Sequence, residues 1–274
     1  MDDTYAVKII NWAIGIYNWI ANEVVNLLSK RPQEFNGDIW NGISAINSGI
    51  KGIAYPLLTL FFIIGFVKVS TSYMEVKKPE HIFKEFLRLV LAKLVIDKSM
   101  DFLQILVEVS IGTVSKITGA QYKSLNGIPE ALQTEINNAN WFTKIICIIV
   151  AIIIALIIIA LSIGLLITVY GRFFEIYIYM AIAPIPLSCC GSQEMEHHAK
   201  HFVMAFFSVC FEGAVIALAF AIFNLFQISG GMFGTQEGTL LKLMVYGVQT
   251  IMNMVILQTV VKGAEGISRK IFGI

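Results

Sequence analysis

The side chains with the widest chemical reach lie between positions 172 and 212. His197, His198 and His201 stand beside Glu194, Glu196 and the adjacent thiols Cys189 and Cys190, and imidazole, carboxylate and thiolate are all ligands that zinc accepts. Positions 197 and 201 share a face of a helix. The stretch is not the His-Glu-x-x-His arrangement of a zinc hydrolase, because His198 occupies the place of the general base. The cluster therefore reads as a polar loop at a membrane boundary, and no metal is assigned to it. A second group consists of charges set in apolar sequence: Arg172, Glu175, Glu212 and Glu108. Arg172 and Glu175 are three residues apart, so they can pair on one helix face, or Arg172 can bind a lipid phosphate while Glu175 faces a cavity. Glu212, and more weakly Glu108, should face a protein interior or a wet path, since hydrocarbon cannot solvate a carboxylate. There is no G-x-S-x-G elbow, Walker loop or dinucleotide-binding glycine pattern. The sequence thus assigns no catalytic residue and no cofactor, and energy for any transport would come from another protein or an ion gradient.

The elements that hold these residues are set by composition. The 274 residues are 57% hydrophobic and 14% charged, with a mean hydropathy of +0.74, whereas soluble domains run at about 45–50% apolar and about 25% charged. A water-soluble enzyme is excluded on that ground. The formal net charge of +1 supplies no field for gathering nucleic acid. The four cysteines, Cys147, Cys189, Cys190 and Cys210, lie in apolar surroundings and do not form a secreted disulfide framework.

From Ile145 through Gly171 no side chain is charged. As a helix this run is about 40 Å long, beyond the roughly 30 Å hydrocarbon core of a bilayer. Gly52–Tyr73 carries only Lys68, His201–Phe226 only Glu212, and Leu240–Val261 only Lys242. These are spans. Ser99–Ser115 is placed as a fifth, although Asp101 and Glu108 interrupt it; its alternative is an amphipathic helix along the bilayer. Runs of this length select helices over the alternating strands of a barrel. The expected fold class is an all-α polytopic membrane protein with about five transmembrane helices.

Thr4, Lys8, Asn11, Gly15, Asn18, Asn22, Asn26 and Ser29 recur every three or four residues near the N-terminus, between Val7, Ile10, Trp12, Ile14, Tyr17, Trp19, Ile20, Val24 and Leu27. This is the pattern of an N-terminal amphipathic helix, and its Trp and Tyr residues favour an interfacial position. Between 75 and 98 lie Lys77, Lys78, Lys84, Arg88, Lys93 and Lys98, which the positive-inside tendency puts in the cytoplasm. This basic arm is read as a helix whose Lys77, Lys78, Lys84, Arg88 and Lys93 contact anionic lipids or a protein partner. Residues 1–51 then form an extracytoplasmic amphipathic region, 52–262 a transmembrane core containing the arm, and 263–274 a short cytoplasmic tail. The N-terminus is outside and the C-terminus inside.

The segment Arg172-Phe-Phe-Glu-Ile-Tyr, followed by Ala183-Pro184-Ile185-Pro186-Leu187, breaks its helix, because each proline lacks a donor and restricts the residue before it. Two readings stay open: a re-entrant element with its backbone satisfied by protein or water, or a long helix ending in a proline turn. Gly112, Gly164, Gly171, Gly213 and Gly247 lie in or at the ends of spans, where small residues permit close helix contact and oligomerisation.

With the helix that holds Phe206, Phe207, Phe211, Glu212 and Gly213, these pieces resemble the TrbL-like polytopic membrane subunits of conjugative type IV secretion systems, in the version carried by mobile elements of Gram-positive bacteria. The resemblance extends over roughly residues 50–262. It implies a channel or platform subunit without ATPase activity of its own, in homo-oligomers beside secretion ATPases, a coupling protein and other membrane subunits, in the bacterial cytoplasmic membrane. The transferred cargo would be DNA-protein complexes or proteins. Arg172, Glu175, Pro184, Pro186, Glu212 and Glu108 would be structural or pathway residues. The competing class is a secondary transporter or small-solute permease, with Glu108 and Glu212 in ion coupling and the interrupted segment lining a cavity.

Overall fold

The computed structural model describes residues 5–71, 79–118, 124–226 and 238–274. Every regular element among them is helical: α1 (Tyr5–Leu28), α2 (Pro32–Phe35), α3 (Gly37–Thr71), α4 (Pro79–Asp97), α5 (Ser99–Thr118), α6 (Glu130–Asn138), α7 (Trp141–Ile182), α8 (Pro184–Ser188), α9 (Glu196–Phe226) and α10 (Thr239–Phe272), with a 3-10 turn at Cys189–Gly191 after α8. Lys77 and Lys78, and the glycine-rich connection before α10, lie outside the described residues.

Among the described residues, four helices are long and apolar enough to cross a membrane: Gly37–Lys68 of α3, Trp141–Ile182 of α7, Glu196–Phe223 of α9 and Thr239–Phe272 of α10. Helix α5, where a fifth span is expected, carries Asp101, Glu108 and Lys116 in its 20 residues and is not among them. Of the four, α9 is the most enclosed by protein and α3 the least.

The chain divides into two compact units. The first comprises residues 1–29, 114–170 and 214–264, and the second residues 30–113, 171–213 and 265–274. In the first, α7 buries Cys147, Ala151, Ile154, Ile158, Ser162, Leu165 and Val169. These residues are spaced by three or four, the seam of a helix packed lengthwise on its neighbours. Ser162 satisfies its hydroxyl on the Ile158 carbonyl one turn back at 2.7 Å. Helix α1 shows the same rhythm: Val7, Ile10, Ile14, Tyr17, Ala21, Val24 and Leu28 are buried, while Trp12 and Trp19 lie exposed on the other side. The two tryptophans and the apolar packing face therefore lie on separate faces of the helix, whereas Tyr17, expected at the interface, is buried in the packing face of α1. Its asparagines hold the segment before α6. Asn18 donates to the Leu125 carbonyl at 3.0 Å and accepts from the Leu125 amide at 2.9 Å, and Asn11 accepts from the Ile128 amide at 3.1 Å.

In the second unit, Asn36 opens α3 by accepting the amides of Asp38 and Ile39, both at 3.0 Å, as a helix N-cap does. The junction from α4 to α5 at Lys98 is bridged by backbone bonds, Lys98 N to Leu94 O at 3.0 Å and Phe102 N to Lys98 O at 2.9 Å, so the two helices follow one another almost without interruption. The core gathers Leu58 of α3, Ile96 of α4, Leu103 of α5, Ile176 and Met180 of α7, Leu187 of α8 and Phe206 of α9.

Candidate functional site: a buried charge cluster and the proline turn

Helix α7 continues past the end of its uncharged run, because Arg172 and Glu175 do not break a helix and the first proline comes only at 184. Ala183 keeps right-handed helical angles (φ −47°, ψ −39°), Pro184 begins α8, and Leu187 N closes on the Ala183 carbonyl at 3.2 Å. Pro184 thus stands at a first helical position, where its missing donor costs nothing. The break is a single-residue interruption followed by a further helical turn, with Ala183, Pro184, Leu187 and Ser188 buried. Pro186 lies inside that short turn.

Arg172 is 4% exposed. Its guanidinium crosses to α9, where Nε donates to the Val209 carbonyl at 3.3 Å and Nη2 to the Cys210 carbonyl at 3.2 Å. The Cys210 carbonyl also accepts the Ser110 hydroxyl of α5. Nη1 is buried without a hydrogen-bond partner. The guanidinium occupies the space in which a β-carbon on Gly213 would sit, so only glycine lets the arginine lie flat on α9. Arg172 therefore serves α9, not Glu175 and not a lipid phosphate. Glu175 pairs instead with Arg269 of α10 at 3.8 Å, and Arg269 also holds Glu265 at 2.8 Å. Glu212, next to Gly213, is 5% exposed and lies in the field of Arg172, Glu175, Glu265 and Arg269. Nearby, the Ser268 hydroxyl of α10 donates to the Ser208 carbonyl of α9 at 2.6 Å and accepts the Ser208 hydroxyl at 3.1 Å. The Tyr177 hydroxyl donates to the Pro32 carbonyl at 2.6 Å.

The structure thus brings Arg172, Glu175 and Glu212 into one cluster. It adds Glu265, Arg269 and the Ser208–Ser268 pair, which sequence reasoning missed. The four-residue spacing of Glu265 and Arg269 was a readable helix-face signal; their link to Glu175 was not. Glu108 is elsewhere in this unit, half-exposed and paired with Arg31 at 3.5 Å.

The basic arm is a helix, α4, but its residues divide. Lys84 and Lys93 are exposed. Arg88 is turned into the fold: it bonds both carboxylate oxygens of Glu85, at 3.0 and 3.3 Å, and reaches Glu196 of α9 at 3.7 Å. Glu196 in turn holds Lys200 at 2.6 Å. The histidine stretch is also tied locally, with His197 Nδ1 2.8 Å from the Glu194 carbonyl and the Glu194 carboxylate paired with Lys68. Burial pushes the Cys189 and Cys190 thiols above their ordinary range; for Cys190 the carboxylate of Glu196 adds to this, opposed by Arg88 and Lys200. Raised thiols are poor nucleophiles and poor metal ligands at neutral pH.

Among the described residues the chain is all-helical, with four span-length apolar helices, and two of the charges set in them, Arg172 and Glu212, are buried; it is a multi-pass membrane protein. Residues 18–184, more than half of the chain, match the family described as TrbL/VirB6 plasmid conjugal transfer like protein, and the chain belongs to that family. No curated protein and no solved structure matches the chain. The matched span begins inside α1, takes in Arg172, Glu175 and Pro184, and ends before Pro186 and Glu212.

Proposed function

We propose that this chain is a channel or platform subunit of a conjugative type IV secretion system of Gram-positive mobile elements, supporting transfer of DNA-protein complexes or proteins without hydrolysing ATP itself. The observation that carries the reading is family membership over residues 18–184 in a chain with four span-length apolar helices. In this reading the protein sits in the bacterial cytoplasmic membrane with five crossings, its N-terminus outside and its C-terminus inside. The location of Lys77 and Lys78 between α3 and α4, and of Arg269 and Lys270 at the C-terminus, supports that orientation. Several copies would surround a passage or form its base, beside secretion ATPases, a coupling protein and other membrane subunits. Lys77, Lys78, Lys84 and Lys93 would meet anionic headgroups. The cluster of Arg172, Glu175 and Glu212 would fix the angle between helices around the proline turn at Pro184 and Pro186, which in this reading is a joint beside the passage. Glu108, paired at a half-exposed position, would be structural.

The test is to delete the gene, measure plasmid transfer, restore it with the wild-type chain, and map photo-cross-links from spanning residues to the moving substrate. Lost transfer with cross-links to substrate is the expected result for a conduit. Lost transfer without them makes the chain a scaffold, and undiminished transfer ends the proposal. Glu212→Gln should retain assembly but lower transfer; unchanged transfer removes any need for an ionised group there.

A further inference from the structure

We infer that α4 is itself embedded in the bilayer, crossing it as the return arm of a hairpin with α3, so that its outer face lies against acyl chains. The two halves of α3 differ. Residues 37–51 hold Asp38, Asn41, Ser44, Asn47, Ser48 and Lys51, whereas Gly52 to Val67 contain no charge. Only the second half is fit for hydrocarbon.

Register decides what lies beside that half. Lys51 Nζ donates to the Asp97 carbonyl at 2.8 Å and the Tyr55 hydroxyl to the Asp97 carboxylate at 2.5 Å. Toward the other end, Phe62 and Phe66 meet Phe86 with ring centroids 5.6 and 6.4 Å apart. From Phe86 to Asp97, helix α4 therefore runs antiparallel to the uncharged half of α3. Helix α5 starts beside the polar half, where Ser99 donates to Asn47 at 3.3 Å. The 19 residues of α4 extend about 28 Å, close to the roughly 30 Å of hydrocarbon. Two helices paired in this way share a depth, so the helix that accompanies α3 through the membrane is α4, and not α5.

The side chains of α4 are distributed accordingly. Phe83, Val90 and Leu94 are 71%, 61% and 58% exposed, and with Leu87 between them they form an outward stripe spaced by four, three and four. Leu60, Ile63 and Val67 of the uncharged half of α3 are exposed as well. Glu85, 6% exposed, and Arg88 turn inward and pair with each other, and Arg88 also reaches Glu196, whose charge Lys200 balances, as charges within a membrane do. Lys84 and Lys93 stand near opposite ends of α4, within reach of the two headgroup layers for a snorkelling side chain. A helix lying in water would show the reverse, with its ion pairs outward and its phenylalanines inside.

The inference rests on the multi-pass reading and not on the secretion role. It is tested on the full-length chain in its native membrane by a photoreactive amino acid at Val90 and, separately, at Leu94, and by Val90→Cys labelled with a water-soluble maleimide, the unsubstituted chain serving as blank. Lipid adducts at both sites are expected, with labelling of the new thiol at least ~10-fold slower than in denatured protein, since thiolate does not form in hydrocarbon. Fast labelling from either aqueous face overturns the inference, as do adducts to another protein or to a second copy. Lipid adducts in a chain that proves dispensable for transfer leave the hairpin standing and remove only the secretion role.

Discussion

Arg172 illustrates how a charge is accommodated inside an apolar bundle. Two carbonyls of α9 receive its guanidinium, and the absence of a side chain at Gly213 gives it room. An alanine there forces the arginine off α9 or pushes the helices apart, so Gly213→Ala should cost about 1–3 kcal/mol, the usual range for overpacking. Arg172→Met removes the obstruction as well as the bonds. The double variant should therefore lose less than the sum of the two single losses, because neighbouring residues couple. Denaturation of the four proteins in detergent measures this, and strict additivity would mean the two residues do not interact. At the same scale, the thiols of Cys189 and Cys190 are held protonated by burial. Their alkylation should be slow at neutral pH and should climb only above the range in which a free cysteine reacts, whereas free-cysteine rates at pH 7 would mean the turn is open to water.

Helix α1 shows what an element-level pattern carries. Its asparagine stripe is legible in the sequence as a polar face, and the structure gives that face a task. Asn18 satisfies both backbone groups of Leu125, and Asn11 the amide of Ile128. The partner could not be read in advance, since positions 11 and 18 are linked to 125 and 128 only through the fold. Asn18→Ala leaves a backbone donor and acceptor without their bonds, and about 1–3 kcal/mol of local stability should be lost. Hydrogen exchange at the Leu125 amide reads this directly: faster exchange confined to the segment before α6 is expected, and an unchanged rate would show that Asn18 does not hold it. The proline turn is the converse case. Pro184 and Pro186 announced a break, while the helical angles of Ala183 decided that the chain goes on turning.

For the whole molecule, the exposed surface of α3, α4 and α7 is lined with Leu60, Ile63, Phe83, Val90, Ile152, Leu156 and Ile167, far more apolar area than a soluble monomer leaves uncovered. Removing detergent without supplying lipid should drive the chain into aggregates at any ionic strength, with size-exclusion chromatography as the measurement. A monodisperse, folded protein in plain buffer would contradict the membrane assignment.

Hydropathy alone fixed that these helices belong in lipid, where the apolar runs lie, and that Glu212 must face inward, because transfer of a segment into hydrocarbon depends on its composition and hardly on its neighbours. It could not choose the packed side of α7. Lipid is as apolar as isoleucine, so nothing in a uniformly apolar helix separates the face that meets protein from the face that meets the bilayer. The seam from Cys147 to Val169, the seat of Arg172 on α9, the alliance of Glu175 with Arg269 and the alignment of α4 with the uncharged half of α3 are decided by shape and hydrogen bonding between distant segments. Those are settled only when the helices meet.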